Sequence, residues 1–152
     1  RNVSVTIPNG ILNGGYEGGN GRYKGRTASW VYGQGTSLHT MSGSFRADGG
    51  GQATGTARLR LVGMDDERPE KSQMRLSLNG QALYQGADPL PNDFCCGPTG
   101  EANWGSVTFE FPASLLRNQN TLTITNLDAS DCTLCPFYVM VDFGELTYRT
   151  GG

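Results

Sequence analysis

Four cysteines and a single histidine limit the chemistry open to this chain of 152 residues. Cys95 and Cys96 are adjacent, and Cys132 and Cys135 enclose two residues. Four cysteines allow three pairings. A bond between the neighbours Cys95 and Cys96 would be strained. The spacing therefore favours cross-pairing of that couple to Cys132 and Cys135, in an order the spacing leaves open. Closing loops of roughly 36–40 residues contributes about 3–4 kcal/mol in the chain-entropy account, shared between two linked bonds. A four-thiolate zinc site is the rival, since Cys-x-x-Cys is a familiar half of one. Two adjacent thiolates reach one tetrahedral ion poorly, which favours disulfides and an oxidising compartment.

Nucleophilic catalysis would have to use His39, and nothing near it in sequence resembles a nucleophile turn. Few carboxylates fall on strand-like segments (Glu110, Asp142 and Glu145), so a glycosidase-like pair has little to draw on. The expectation is that the chain is not an enzyme and requires no cofactor. Asp65-Asp66-Glu67 and Glu70 follow an apolar run, and Asp88, Asp93, Asp128 and Asp131 sit in loop-like stretches. Calcium takes six to eight oxygens, often from such loops. The alternative is an acidic turn that is solvated or paired with Arg58, Arg60, Arg68 and Lys71. Net charge is −2, which leaves no basic footprint for nucleic acid. No apolar stretch approaches the 18 or more residues of a membrane span. A chain that opens on Arg1, together with the cysteines, suggests a secreted, extracellular or cell-surface product whose signal segment has been removed.

Strands must position these groups. Apolar residues recur at every second position in Asn2–Ile7, Thr40–Ala47, Thr56–Val62, Gln73–Leu78, Ser106–Phe111, Asn120–Asn126 and Pro136–Tyr148, with shorter runs at Ala28–Tyr32 and Gln81–Gln85. Side chains alternate across a strand, so this period means one buried and one wet face. In the last long run the inward set is Phe137, Val139, Val141 and Phe143. Asn79-Gly80 marks a two-residue hairpin. Residues 86–103 show no periodicity and read as a loop held by Cys95 and Cys96. Ser114–Arg117 suits one helical turn, and no window of ten or more residues has helical spacing. With 23 glycines and nine to ten strands, the expected fold is all-β, a two-sheet antiparallel β-sandwich of jelly-roll type in one domain.

Five segments resemble the galactose-binding-like, carbohydrate-binding-module jelly rolls. They are Ala57-Arg-Leu-Arg-Leu-Val-Gly-Met-Asp-Asp66, Met74-Arg-Leu-Ser-Leu-Asn-Gly80, Trp104-Gly-Ser-Val-Thr-Phe-Glu-Phe-Pro112, Leu115–Asn126 and Phe137-Tyr-Val-Met-Val-Asp142. The opening Leu12-Asn-Gly-Gly-Tyr-Glu17 is similar to the entry of such modules. The likeness runs from about Leu12 to Tyr148 and fixes a fold type that hosts many tasks. It implies a structural calcium near chain entry and exit, at Glu17 and Asp142. It also implies a glycan site, for which the candidates are the aromatics Trp30, Tyr32, Tyr84, Phe94 and Trp104 with the Asp65/Asp66 turn and the 86–103 loop. Core packing is the competing role for each ring.

Residues 1–10 lie ahead of this likeness, which divides the chain into an N-terminal extension strand and a sandwich over 11–152. Val3, Val5 and Ile7 share one face of that strand. It can pair within its own sandwich, or it can complete the sheet of another copy. A head-to-tail contact of the second kind propagates into a filament. The sequence reading favours a structural subunit of an extracellular filament or surface assembly, polymerising by donation of this strand, with other copies of itself as partners. The alternative is an extracellular carbohydrate-binding module with polysaccharide as partner.

Overall fold

The computed structural model describes residues 1–17, 26–93, 104–133 and 135–151. Ten strands form two antiparallel sheets. They are β1 (Asn2–Pro8), β2 (Tyr16–Glu17), β3 (Ser29–Val31), β4 (Thr40–Arg46), β5 (Ala53–Asp65), β6 (Gln73–Leu78), β7 (Gln81–Ala87), β8 (Gly105–Pro112), β9 (Gln119–Asn126) and β10 (Val139–Thr150). One sheet runs β2-β3-β10-β5-β8, with β1 also on β10. The other runs β4-β9-β6-β7. The expected single helical turn is a 3-10 turn at Ala113–Leu115.

Alternation builds the core. Met41 and Phe45 of β4, Met74, Leu76 and Leu78 of β6, and Leu122 and Ile124 of β9 face Ala57, Leu59, Leu61, Phe109 and Phe111 of the opposing sheet. Their outward neighbours are largely Thr, Ser, Arg and Gln, so removing one face from water fixes the register of every strand. Asn79 and Gly80 have φ of 51° and 81°, as the tight β6–β7 hairpin requires. The Asn79 side chain also donates to Leu115 O and accepts from Thr121 N, both at 2.9 Å.

The first strand is not an unattached extension. β1 runs antiparallel to β10 from Asn2 opposite Arg149 to Pro8 opposite Phe143. Ile7 is 1% exposed, and Val3 and Val5 pack against the same core. A 3-10 turn at Asn9–Ile11 follows it. The donor-strand role expected for Val3, Val5 and Ile7 is corrected on this ground: their apolar faces and the main-chain groups facing β10 are already used within one molecule.

A second correction concerns β10. Asp142 is an extra residue in this strand, since Val141 pairs with Gly63 and Phe143 with Val62. The bulge reverses the parity of all that follows. Val139 and Val141 point into the core, but beyond the bulge Leu146 and Tyr148 do so. Phe143 is half-buried, its ring 5.5 Å from the Arg60 guanidinium. Phe137 precedes the strand with φ of 81°.

Candidate functional site

Three runs break the alternation. Ser29-Trp30-Val31-Tyr32, Leu61-Val62-Gly63-Met64 and Tyr138-Val139-Met140-Val141 are buried at every position. Strands covered on both faces carry such runs, and here β3, the start of β10 and the end of β5 lie side by side. Their outward residues form a second apolar cluster of Ala28, Trp30, Tyr32, Met64, Tyr138 and Met140, with Leu38 and Trp104 packed on it.

Tyr16 of β2 stands over this cluster. It is 36% exposed, the one large hydrophobic side chain at the surface among the described residues. Its ring meets Trp30 edge-on at 5.5 Å and Tyr32 at 6.2 Å. Tyr32 in turn meets Tyr138 at 6.1 Å. Arg26 places its guanidinium 5.8 Å from the Trp104 ring. Edge-to-face contacts of this kind fix ring orientation, so the exposed ring is presented on a rigid base.

Behind the aromatics lies a knot of carboxylates. Asp65 and Asp66, at the end of β5, are both fully buried. The Asp66 carboxylate accepts from Arg68 N at 2.8 Å, Arg68 Nη2 at 2.9 Å, Ser72 Oγ at 3.0 Å and Phe137 N at 2.6 Å. The Arg68 guanidinium also lies 3.4 Å from the Phe137 ring centre. Asp65 accepts from Ser72 N and lies 3.9 Å from Lys71 Nζ. Lys71 donates to Leu90 O and Asn92 Oδ1, both at 2.7 Å. Tyr138 donates to Glu67 Oε2 at 2.6 Å and Asp93 Oδ2 at 3.2 Å. These bonds tie together the turn after β5, the segment 88–93 and the entry to β10. Burial, and next the Asp66 charge, push the Asp65 carboxyl up to about 6. Burial and then Asp65 push Asp88 well up. Asp88 Oδ2 is buried without a donor.

The expected glycan-contacting residues therefore separate. Trp30 and Tyr32 are buried supports, and Trp104 is half-buried beside them. Tyr84 lies on β7 in the other sheet, its ring 5.4 Å from Phe109. Asp65 and Asp66 face inward as braces. Phe94, Cys95 and Cys96 lie outside the described residues. Cys132 bonds to Cys135, with Cα atoms 5.5 Å apart, so neither pairs with Cys95 or Cys96 as expected. Two residues between cysteines in a turn already give a Cα separation within the usual range. The loop is short, and its closure is worth about 2 kcal/mol rather than 3–4.

Glu17 and Asp142 do not fit a calcium ion. The Asp142 carboxylate holds the Arg26 guanidinium at 2.8 Å, and a fixed cation there repels a dication. The carbonyl freed by the bulge at Asp142 accepts from Asn9 Nδ2. Glu17 is exposed on β2. Among the described residues no group of three or more His, Cys, Asp or Glu could hold a metal.

Tyr16, Arg26 and Tyr138 escaped the sequence reading as site residues. The signal for Tyr138 was the unbroken apolar run from Phe137 to Val141, which a one-sided strand does not carry. Arg26 had none, because its partner Asp142 is remote in sequence.

No family model matches the chain, and no curated protein matches it in sequence. Solved structures do match. The CBM35 from Cellvibrio japonicus Abf62 is 14% identical, with 99% of each chain covered and a TM-score of 0.60. A family 35 carbohydrate binding module from an environmental isolate is 10% identical, with 97% of this chain and 93% of that one covered and a TM-score of 0.58. Dimeric latent PorU from Porphyromonas gingivalis is 14% identical, with 98% of this chain but 13% of that one covered and a TM-score of 0.60. At such identities the likeness speaks for architecture: this chain has the β-sandwich fold seen in family 35 carbohydrate-binding modules.

Proposed function

We propose that this domain binds carbohydrate without transforming it, at the surface formed by Tyr16, Trp104 and Arg26. One observation carries the reading: an exposed tyrosine ring propped edge-on by the buried Trp30 and Tyr32. A sugar ring has an apolar face of C–H groups and a rim of hydroxyls. A rigid aromatic matches the first at little entropic cost, and the neighbouring guanidinium can donate to the second. The fold neighbours that are themselves carbohydrate-binding modules support the same reading. An extracellular setting agrees with the Cys132–Cys135 bond, since disulfides persist in oxidising compartments. No helix among the described residues is long and apolar enough to cross a membrane.

Pull-down on a panel of insoluble polysaccharides, followed by calorimetry with soluble fragments, tests the proposal. Tyr16→Ala is expected to weaken binding about tenfold while costing about 1–2 kcal/mol of stability through its two lost ring contacts, and Tyr16→Phe, which keeps the ring, is expected to keep both stability and most of the affinity. Retention of full affinity by Tyr16→Ala, or failure to bind any polysaccharide, refutes it.

A further inference from the structure

The outer face of the larger sheet is not uniform. Its aromatic end is covered, but the end made by β1, β10, β5 and β8 is bare and polar. There Ser4, Thr147, Arg58 and Glu110 follow one another across four strands, and Asn2 lies beside Arg149 on the next rung. The register between β10 and β5 slips here: Thr147 pairs with Arg58 but Arg149 with Thr54, so β5 carries two extra residues. Gly55, with φ of 73°, lies within this slip. Bulges commonly re-aim side chains next to sites, and this one opens a groove.

The groove has a volume of about 380 Å³ and is lined by Asn2, Ser4, Thr56, Arg58, Thr147 and Arg149, among others. It continues past Gly55 into a hollow of about 520 Å³ that shares Thr56, Arg58 and Arg149 and adds Arg1. Glu110 borders the far side. Three guanidiniums thus face one carboxylate, in a chain whose net charge is −2. Arg58 gives its Nε to Glu110 Oε1 at 3.1 Å and keeps both Nη groups. Among the described residues, Arg149 and the hydroxyls of Ser4, Thr56 and Thr147 have no side-chain partner.

We propose that this groove is a second ligand site, separate from the aromatic surface, and that it takes an oxyanion-bearing polysaccharide. Guanidinium groups recognise carboxylate and sulfate through paired, charge-assisted hydrogen bonds. Arg58 and Arg149 hold the oxyanion, and the hydroxyls of Ser4, Thr56 and Thr147 meet those of the sugar. Two connected hollows suit a chain better than a free ion, which would fill a small part of one.

Affinity electrophoresis and calorimetry with four polymers test this: polygalacturonate, its fully methyl-esterified form, dextran sulfate and dextran. The first and third carry the oxyanion as carboxylate or sulfate; the other two are their neutral counterparts. At least one charged polymer is expected to bind and its neutral counterpart not to, with affinity falling as salt rises. Arg149→Gln is expected to weaken that binding about tenfold, and Arg58→Gln with Arg149→Gln to abolish it, melting temperature unchanged. Glu110→Gln, which releases Arg58, is expected to strengthen it. Tyr16→Ala leaves it intact, so this site and the aromatic surface succeed or fail separately. The proposal is overturned if neither charged polymer binds, if charged and neutral polymers bind alike, if the double variant binds as tightly as the parent, or if Tyr16→Ala abolishes binding.

Discussion

Replacing Asp65 by Asn should stabilise this protein at neutral pH and leave it unchanged in acid. Asp65 is fully buried beside Asp66 and the buried Asp88, with Lys71 the near cation at 3.9 Å. Burial first and the Asp66 charge second raise its carboxyl from 3.8 to about 6. The folded state therefore keeps a proton that the unfolded chain has already released between about pH 4 and 6. Stability falls with rising pH wherever the folded state binds more protons. That rise corresponds to about 3 kcal/mol. The parent is expected to lose at least about that much between pH 4 and 6.5, because Asp88, whose carboxyl is also raised, keeps a proton that the unfolded chain has released and adds to the fall.

Asn keeps an oxygen for Ser72 N, which now bonds Asp65 at 3.3 Å, and its amide can donate to Asp88. Asp65→Asn should therefore match the parent at pH 4, where Asp65 is neutral anyway, and exceed it by about 3 kcal/mol at pH 7.5. Urea unfolding followed by the fluorescence of Trp30 and Trp104, from pH 4 to 8, reads both curves. A parent whose stability is flat or rises from pH 4.5 to 7, or a variant with the parent's slope, refutes the account of the buried carboxyls.

One substitution and one deletion probe the frame. Asn126 is fully buried and donates to Val31 O at 3.0 Å and Phe137 O at 2.7 Å, while accepting from Asp128 N at 2.9 Å. Asn126→Ala orphans all three groups and should cost about 3 kcal/mol in chemical denaturation; a cost under about 1 kcal/mol would mean the loops relax freely. Deleting residues 2–8 removes a seven-residue pairing with β10 and the burial of Ile7. The truncated protein should lose about 3 kcal/mol or more, and unchanged thermal stability would show that β1 contributes nothing to its own sandwich.

Where one face of a strand is wet, the sequence announced it. Gln73–Leu78 was legible to the residue, because Met74, Leu76 and Leu78 alternate with polar neighbours and Asn79-Gly80 closes the run. Three things were not legible, each for a physical reason. A bulge changes parity without changing composition, so nothing in Val141-Asp-Phe-Gly144 warns that the inward set switches from odd to even positions. A carboxylate that turns inward looks the same in sequence as one that turns out; the pairing of this turn with Arg68 and Lys71, one of the two readings open, is formed, but the complete burial of Asp65 and Asp66, which takes them out of reach of a glycan, had no signal. Long-range ion pairs such as Arg26–Asp142 have no local signature at all, and this one occupies the position where the family likeness implied calcium.

β10 explains why the two proposed sites share one sheet and still differ. Before its bulge, Val139–Val141 has β3 on one side and β5 on the other, and Met140 faces outward into the aromatic layer. Beyond the bulge the same edge passes to β1, and Glu145, Thr147 and Arg149 take the outward positions. The outer face thus turns from apolar to charged within one strand. A ligand that stacks on Tyr16 needs the first half, and one that carries an oxyanion needs the second. Because the halves are joined through the packed strands β5 and β10 and share no residue, substitutions in one should leave affinity at the other within the error expected of distant, independent positions, about 0.3–0.5 kcal/mol. Strong coupling between Tyr16→Ala and Arg149→Gln would instead mean that a single long ligand spans both.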